Sequence, residues 1–128
     1  LSLPKGISGI PKTSDQDELA CLYSYSDVVV SLSKEETFGL TIVEGIACGT
    51  PAIVYDNTAL SELITPDVGH VVENGNLDQV VEAIYDIQSK GKVNFIRKCR
   101  EHAVNNFEHS VMVNKYLNLY KAILQNDR

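Results

Sequence analysis

Two short apolar runs, Val28-Val29-Val30-Ser31-Leu32 and Ala52-Ile53-Val54-Tyr55, constrain this chain most. The first is a short β-branched run, the pattern of a strand buried on both faces, and the second reads as the next strand. The stretch between them is too long for a hairpin and carries its own helical segment, from near Thr41 to Gly49. Gly49 suits the residue just past a helix end, and Thr50-Pro51 forbids continuation. A helix between two strands is a crossover, and crossovers join parallel neighbours. The expected class is therefore α/β, a parallel sheet with crossover helices.

The remaining elements follow from caps and spacing. Residues 5–10 form a weak strand candidate before Pro11, and Ser14 with Asp17 three residues on resembles a capping box for a helix over about 15–25. Asp56-Asn57-Thr58 reads as a polar loop leaving the second strand, 59–64 as one or two helical turns, and 69–72 as a last small strand. Asn76 with Gln79 caps a helix carrying Leu77, Val80, Val81, Ile84 and Ile87, stopped by Gly91. Phe95, Ile96, Cys99 and Ala103 mark another helix. Val113, Tyr116, Leu117, Tyr120, Ile123 and Leu124 mark a last one, capped by Ser110.

Composition removes several classes of function. At 128 residues and 44 % hydrophobic, the chain is expected to form one domain with a real core. A formal net charge of −6 argues against nucleic acid, whose phosphates need clustered Lys and Arg. No apolar run approaches the roughly 18 residues that span a bilayer. Cys21, Cys48 and Cys99 lack zinc spacing and predict reduced, mostly buried thiols in a cytoplasmic protein. His70, His102 and His109 show no metal or triad spacing and read as surface or satisfied side chains.

In parallel sheets, ligands bind beyond the carboxyl ends of the strands. The loop Ser33–Leu40 occupies that place after the first run. It carries Glu36-Thr37-Phe38-Gly39-Leu40 and leads into Thr41-Ile42-Val43-Glu44. A helix starting at Thr41 leaves amides near Ile42–Glu44 without intrahelical partners, and its dipole favours an anion there. Gly39 permits positive φ and close approach of a ligand to the backbone. Two carboxylates bracketing such amides suit a sugar joined to a diphosphate. A second reading stays open at this level: Thr41-Ile42-Val43-Glu44 is a capping box, in which Glu44 bonds back to the Thr41 amide. Glu36 has a plain alternative too, as a solvated carboxylate in the run Lys34-Glu35-Glu36.

The segment Glu36–Glu44, followed by Gly45-Ile46-Ala47-Cys48-Gly49-Thr50-Pro51, resembles the Glu-x7-Glu signature of family 4 retaining glycosyltransferases. These enzymes have two facing Rossmann-like domains, the GT-B fold. The resemblance runs from about Gly9 to the end and implies a partial C-terminal, nucleotide-sugar-binding domain. It implies that amides around Phe38, Gly39 and Leu40 contact the donor sugar and that those of Thr41, Ile42 and Val43 face the phosphates. Glu44 would accept the ribose hydroxyls, and Glu36 would act beside the transferred sugar as the catalytic carboxylate. The donor is expected to be a UDP- or GDP-sugar, with no cofactor and no metal. The family's basic residues that neutralise the diphosphate, and its acceptor domain, lie before Leu1. The chain has no initiator Met and is expected to be cut from a longer protein, inactive alone.

The glycan or lipid-linked acceptor would then bind the N-terminal domain. Family members return their last helix to that domain, so Tyr116, Tyr120 and Ile123 are expected to be exposed here and to favour self-association. Gly9-Ile10-Pro11-Lys12 is similar to members acting in bacterial polysaccharide or lipopolysaccharide assembly, peripheral at the inner membrane face. Two alternatives remain: a non-catalytic nucleotide-binding or assembly module, and a sugar-nucleotide epimerase of the same architecture.

Overall fold

The computed structural model describes residues 3–126. The elements run α1 (Gln16–Tyr25), β1 (Val29–Ser31), α2 (Leu40–Ala47), β2 (Ala52–Tyr55), a short 3₁₀ turn (Ala59–Leu63), β3 (Gly69–Val72), α3 (Leu77–Lys90), α4 (Val93–Phe107) and α5 (His109–Asn126). The strands form one parallel sheet in the order β1-β2-β3, with Val29 opposite Ala52 and Ala52 opposite Gly69. This is the expected α/β architecture.

β2 is the centre. All four of its residues are buried, as is Pro51 before it. Ile42 and Ile46 of α2 cover it, with Val80, Ala83 and Ile87 of α3 and Phe95, Cys99 and Ala103 of α4 completing the core. Burying one such aliphatic side chain contributes about 1.5–3 kcal/mol, so this cluster supplies most of the drive to fold. β1 is different: among the described residues it pairs with β2 alone, Val29 and Ser31 are half-buried, and Val30 is 40 % exposed. Among the described residues that run lies at the edge of the sheet and is not covered on both faces.

Other boundaries also shift. Residues 5–10 form no strand; Lys5 and Gly6 lie in a turn closed by the Ile7 amide on the Pro4 carbonyl. The cap of α1 is Asp15 and not Ser14: the Asp15 carboxylate accepts from the amides of Asp17 and Glu18. In α3 the buried stripe is Val80, Ala83 and Ile87, while Leu77 and Val81 face solvent at 62 % and 48 % exposure. Asn76 caps that helix as expected, and Gly91 ends it. The Gln79 side chain reaches back past Asn76 to accept from the Glu73 amide. α5 begins one residue before Ser110, whose hydroxyl donates to the Glu108 carboxylate instead of capping the helix.

Helix ends are held by long-range contacts. The Lys92 ammonium donates to the carbonyls of Ser24 and Ser26 at the end of α1, and Arg100 donates to the Ala47 carbonyl at the end of α2. Both put positive charge on a helix C-terminus, where the dipole favours it. α5 rests chiefly on α4, leaving Tyr116, Tyr120 and Ile123 half or more exposed, as expected. The cysteines are free, but only Cys99 is buried, Cys48 is half-buried and Cys21 is exposed, so the thiols are less covered than their sequence context suggests.

The sheet tolerates no side chain at Gly69. A Cβ there would sit 1.9 Å from the Ala52 carbonyl oxygen, which is backbone of the central strand and cannot swing aside. Gly69→Ala is therefore expected to lower unfolding free energy by about 3 kcal/mol, read as a shifted urea midpoint with unchanged slope. A wild-type midpoint would contradict this packing.

Candidate functional site

The loop between β1 and α2 leaves the carboxyl edge of the sheet and delivers the front of α2 there. Gly39 makes the entry possible. It is buried in the left-handed region at φ 87°, and a Cβ at that position would lie 2.0 Å from Leu60 Cδ2. The loop is pinned from three sides. Phe38 packs edge-on against Phe107 at the end of α4, with ring centroids 6.4 Å apart. Phe107 is backed by His102, whose Nε2 pairs with the Leu63 carbonyl oxygen. Asn57, in the loop after β2, donates to the Lys34 carbonyl and ties the two carboxyl-edge loops together.

α2 starts at Leu40, one residue before the expected Thr41. The Gly39 carbonyl accepts from both Ile42 and Val43, at 3.1 and 3.2 Å. The unpartnered donors are thus the amides of Leu40 and Thr41, two residues earlier than the sequence suggested, and no acceptor meets them among the described residues. No acidic side chain occupies the first turn, so the positive end of the helix is not neutralised. Leu40 and Thr41 are both exposed.

Glu44 does not close a capping box. The helix has no side-chain cap, and Glu44 Oε2 instead accepts from the Tyr23 hydroxyl of α1 at 3.1 Å. Glu44 lines a groove of about 230 Å³ between α1 and α2, with Gln16, Leu19, Ala20, Tyr23, Ala47 and Cys48. Glu36 is exposed and turned onto its own loop, where Oε1 accepts from the amides of Thr37 and Phe38 at 2.9 and 3.4 Å. It does not line the groove that Glu44 lines. The two acids flank the start of α2 along the chain, but the structure does not bring them into one cavity. In each, one oxygen is held by the protein and the other has no partner among the described residues.

The one Asp-x-Asp string in the chain, Asp15-Gln16-Asp17, is the cap of α1, its Asp15 carboxylate occupied by backbone amides. Among the described residues, no three His, Cys, Asp or Glu side chains gather as a metal site would require. No helix among them is long and apolar enough to cross a membrane.

Sequence reasoning missed Tyr23 and Thr50 as parts of this site. Thr50 is fully buried, and its hydroxyl donates to the Tyr23 carbonyl at 2.6 Å. Its neighbourhood is set by contacts 27 residues away in the chain, which no local spacing displays.

Residues 2–106 match the family model described as glycosyl transferases group 1. The chain belongs to the group 1 glycosyltransferases. It is 37 % identical over 90 residues to a GDP-mannose-dependent alpha-(1-6)-phosphatidylinositol dimannoside mannosyltransferase of Mycobacterium tuberculosis, covering 70 % of this chain and 23 % of that protein. It is 30 % identical over 118 residues to N-acetyl-alpha-D-glucosaminyl L-malate synthase of Bacillus anthracis, covering 88 % and 30 %. Among solved structures it superimposes on sucrose-phosphate synthase of Thermosynechococcus elongatus with TM-score 0.72 and 26 % identity, covering 86 % of this chain and 28 % of that one. The chain thus spans less than a third of the length of these relatives, and its fold is that of the Rossmann-like, GT-B glycosyltransferases.

The Tyr23–Glu44 contact has a measurable signature. The Tyr23 phenol is pushed up to about 12, first by burial and then by the hydrogen bond and negative charge of Glu44. A raised folded-state value means the folded protein keeps this proton after the unfolded chain has lost it. The contribution to stability is fully present below about pH 10 and disappears as pH rises towards 12. Ultraviolet titration of phenolate, with Tyr23→Phe as subtraction, should show this late-ionising tyrosine, and Glu44→Gln should move it back towards 10. Ionisation at 10 in the unaltered protein would contradict the contact.

Proposed function

We propose that this chain is the donor-binding part of a two-domain retaining glycosyltransferase that moves a sugar from a UDP- or GDP-sugar to a glycan or lipid-linked acceptor. One observation carries the proposal: the Leu40 and Thr41 amides stand unpartnered at the positive front of α2, at the carboxyl edge of a parallel sheet. That is an anion site made of backbone. The diphosphate lies against it, and Gly39 holds the left-handed turn that presents those amides at the loop's end. Glu44, on the same helix, accepts ribose hydroxyls through its free oxygen.

The chemistry follows from charge. Breaking the bond between sugar and phosphate develops positive charge on the sugar ring and negative charge on the departing diphosphate. The helix front stabilises the second, and Glu36 stabilises the first through Oε2, its Oε1 being held by loop amides. Glu36 acts by position and charge rather than by covalent attack; the leaving phosphate receives the acceptor's proton. Amide donors and the basic residues of the rest of the protein replace a divalent cation, so no metal takes part. The acceptor is bound by the remainder of the protein, at the cytoplasmic membrane face if the acceptor is a lipid. Membership of the family and the mannosyl- and glucosaminyl-transferring names of its relatives support this reading.

Titration calorimetry on the full-length protein tests it. UDP or GDP is expected to bind without added metal, and Glu44→Ala to weaken that binding by about tenfold or more, as expected for hydrogen bonds to a charged group. No heat with either nucleotide would overturn the proposal.

A further inference from the structure

We propose that Tyr23 is a positioning residue for the donor site: its hydroxyl fixes the Glu44 carboxylate so that one oxygen stays turned outward for the nucleotide's ribose. The inference rests on the assignment of Glu44 to the ribose and goes beyond it by naming the group that aims it.

Three contacts make Tyr23 a rigid support. Its backbone carbonyl accepts from the fully buried Thr50 hydroxyl, which locks the last turn of α1 to the end of α2. Its ring lies beside Gly45, where a Cβ would come within 3.6 Å of Tyr23 Cδ1 and 2.7 Å of Val29 Cγ2. A Cβ at position 45 would overlap the Val29 side chain of β1 and rest at ordinary contact distance from the Tyr23 ring. Its hydroxyl then donates to Glu44 Oε2 at 3.1 Å.

A free glutamate on an exposed helix face samples several rotamers, and ordering it on binding costs entropy. Here that ordering is done in advance. The held oxygen faces α1, and the other has no partner among the described residues. The chain of dependence runs from the Gly49-Thr50-Pro51 helix stop through Tyr23 to Glu44, which links a segment with an ordinary structural purpose to recognition.

The test is discrimination between UDP or GDP and their 2′-deoxy counterparts in the full-length protein, with Tyr23→Phe and Glu44→Ala compared with the unaltered form. Tyr23→Phe keeps the ring and its packing, and its melting temperature is recorded alongside. The expected result is a ribose preference in the unaltered protein, its loss in Glu44→Ala, and a drop of about threefold to tenfold in Tyr23→Phe, the size of one hydrogen bond. Binding of the 2′-deoxy nucleotides should be unchanged by Tyr23→Phe. A preference kept in Tyr23→Phe but lost in Glu44→Ala overturns the positioning role alone. Equal weakening of ribo- and deoxynucleotides in Tyr23→Phe overturns it too, since that marks a merely structural residue. No preference in the unaltered protein, or one that survives Glu44→Ala, overturns the assignment of Glu44 and this inference with it.

Discussion

The parallel pairing of β1 with β2 is the constraint on which the rest depends. Parallel neighbours cannot be joined by a tight turn, so the chain must leave one end of the sheet and return to the other through a helix. That return places the front of α2, with its unpartnered amides, at the carboxyl edge. The unpartnered amides at the carboxyl edge are therefore a by-product of topology, present before any side chain is chosen. Side chains then tune them. The absence of acids in the first turn leaves the helix front positive, and Gly39 lets the loop pack onto Leu60 in the left-handed turn that opens α2.

A second dependence concerns how α1, α2 and β2 are locked together. Gly49 turns the chain out of α2, Thr50 spends its hydroxyl on α1, and the Pro51 carbonyl accepts the Val29 amide to begin the sheet. Three consecutive residues thus contact three elements. A buried hydroxyl needs a partner, and giving it the Tyr23 carbonyl satisfies two polar groups at once. The result ties these elements together through Tyr23, which lines the groove that Glu44 also lines.

The centre of the fold was legible because β2 and α2 carry strong local patterns: a continuous apolar run, and a helix stopped by Gly-Thr-Pro. β1 was over-read. A β-branched run reports affinity for a pleated surface, not how many neighbours the strand has, and Val30 sits on an open edge. Residues 5–10 were misread for a similar reason, since Ile7 and Ile10 stand apolar among Lys, Gly and Ser yet join no strand. In the site, the Glu36–Glu44 spacing and Gly39 pointed to the loop between β1 and α2, which leaves the carboxyl edge of the sheet. The capping-box alternative failed because Gly39 took the helix start and Tyr23 took the carboxylate. The latter contact joins residues 21 apart, and periodicity reports only near neighbours. Phe107 and His102, which brace Phe38 from the far end of α4, were illegible for the same reason.

The central claim is that the backbone donors at the front of α2 receive the diphosphate. Nitrogen-15 amide spectra recorded while UDP or GDP is added, and again with the parent nucleoside, address it most directly. Saturable shifts of the Leu40 and Thr41 amides with the diphosphates, and not with the nucleosides, are the predicted result. Diphosphate binding that leaves those two amides unmoved while shifting others elsewhere in the protein would contradict it.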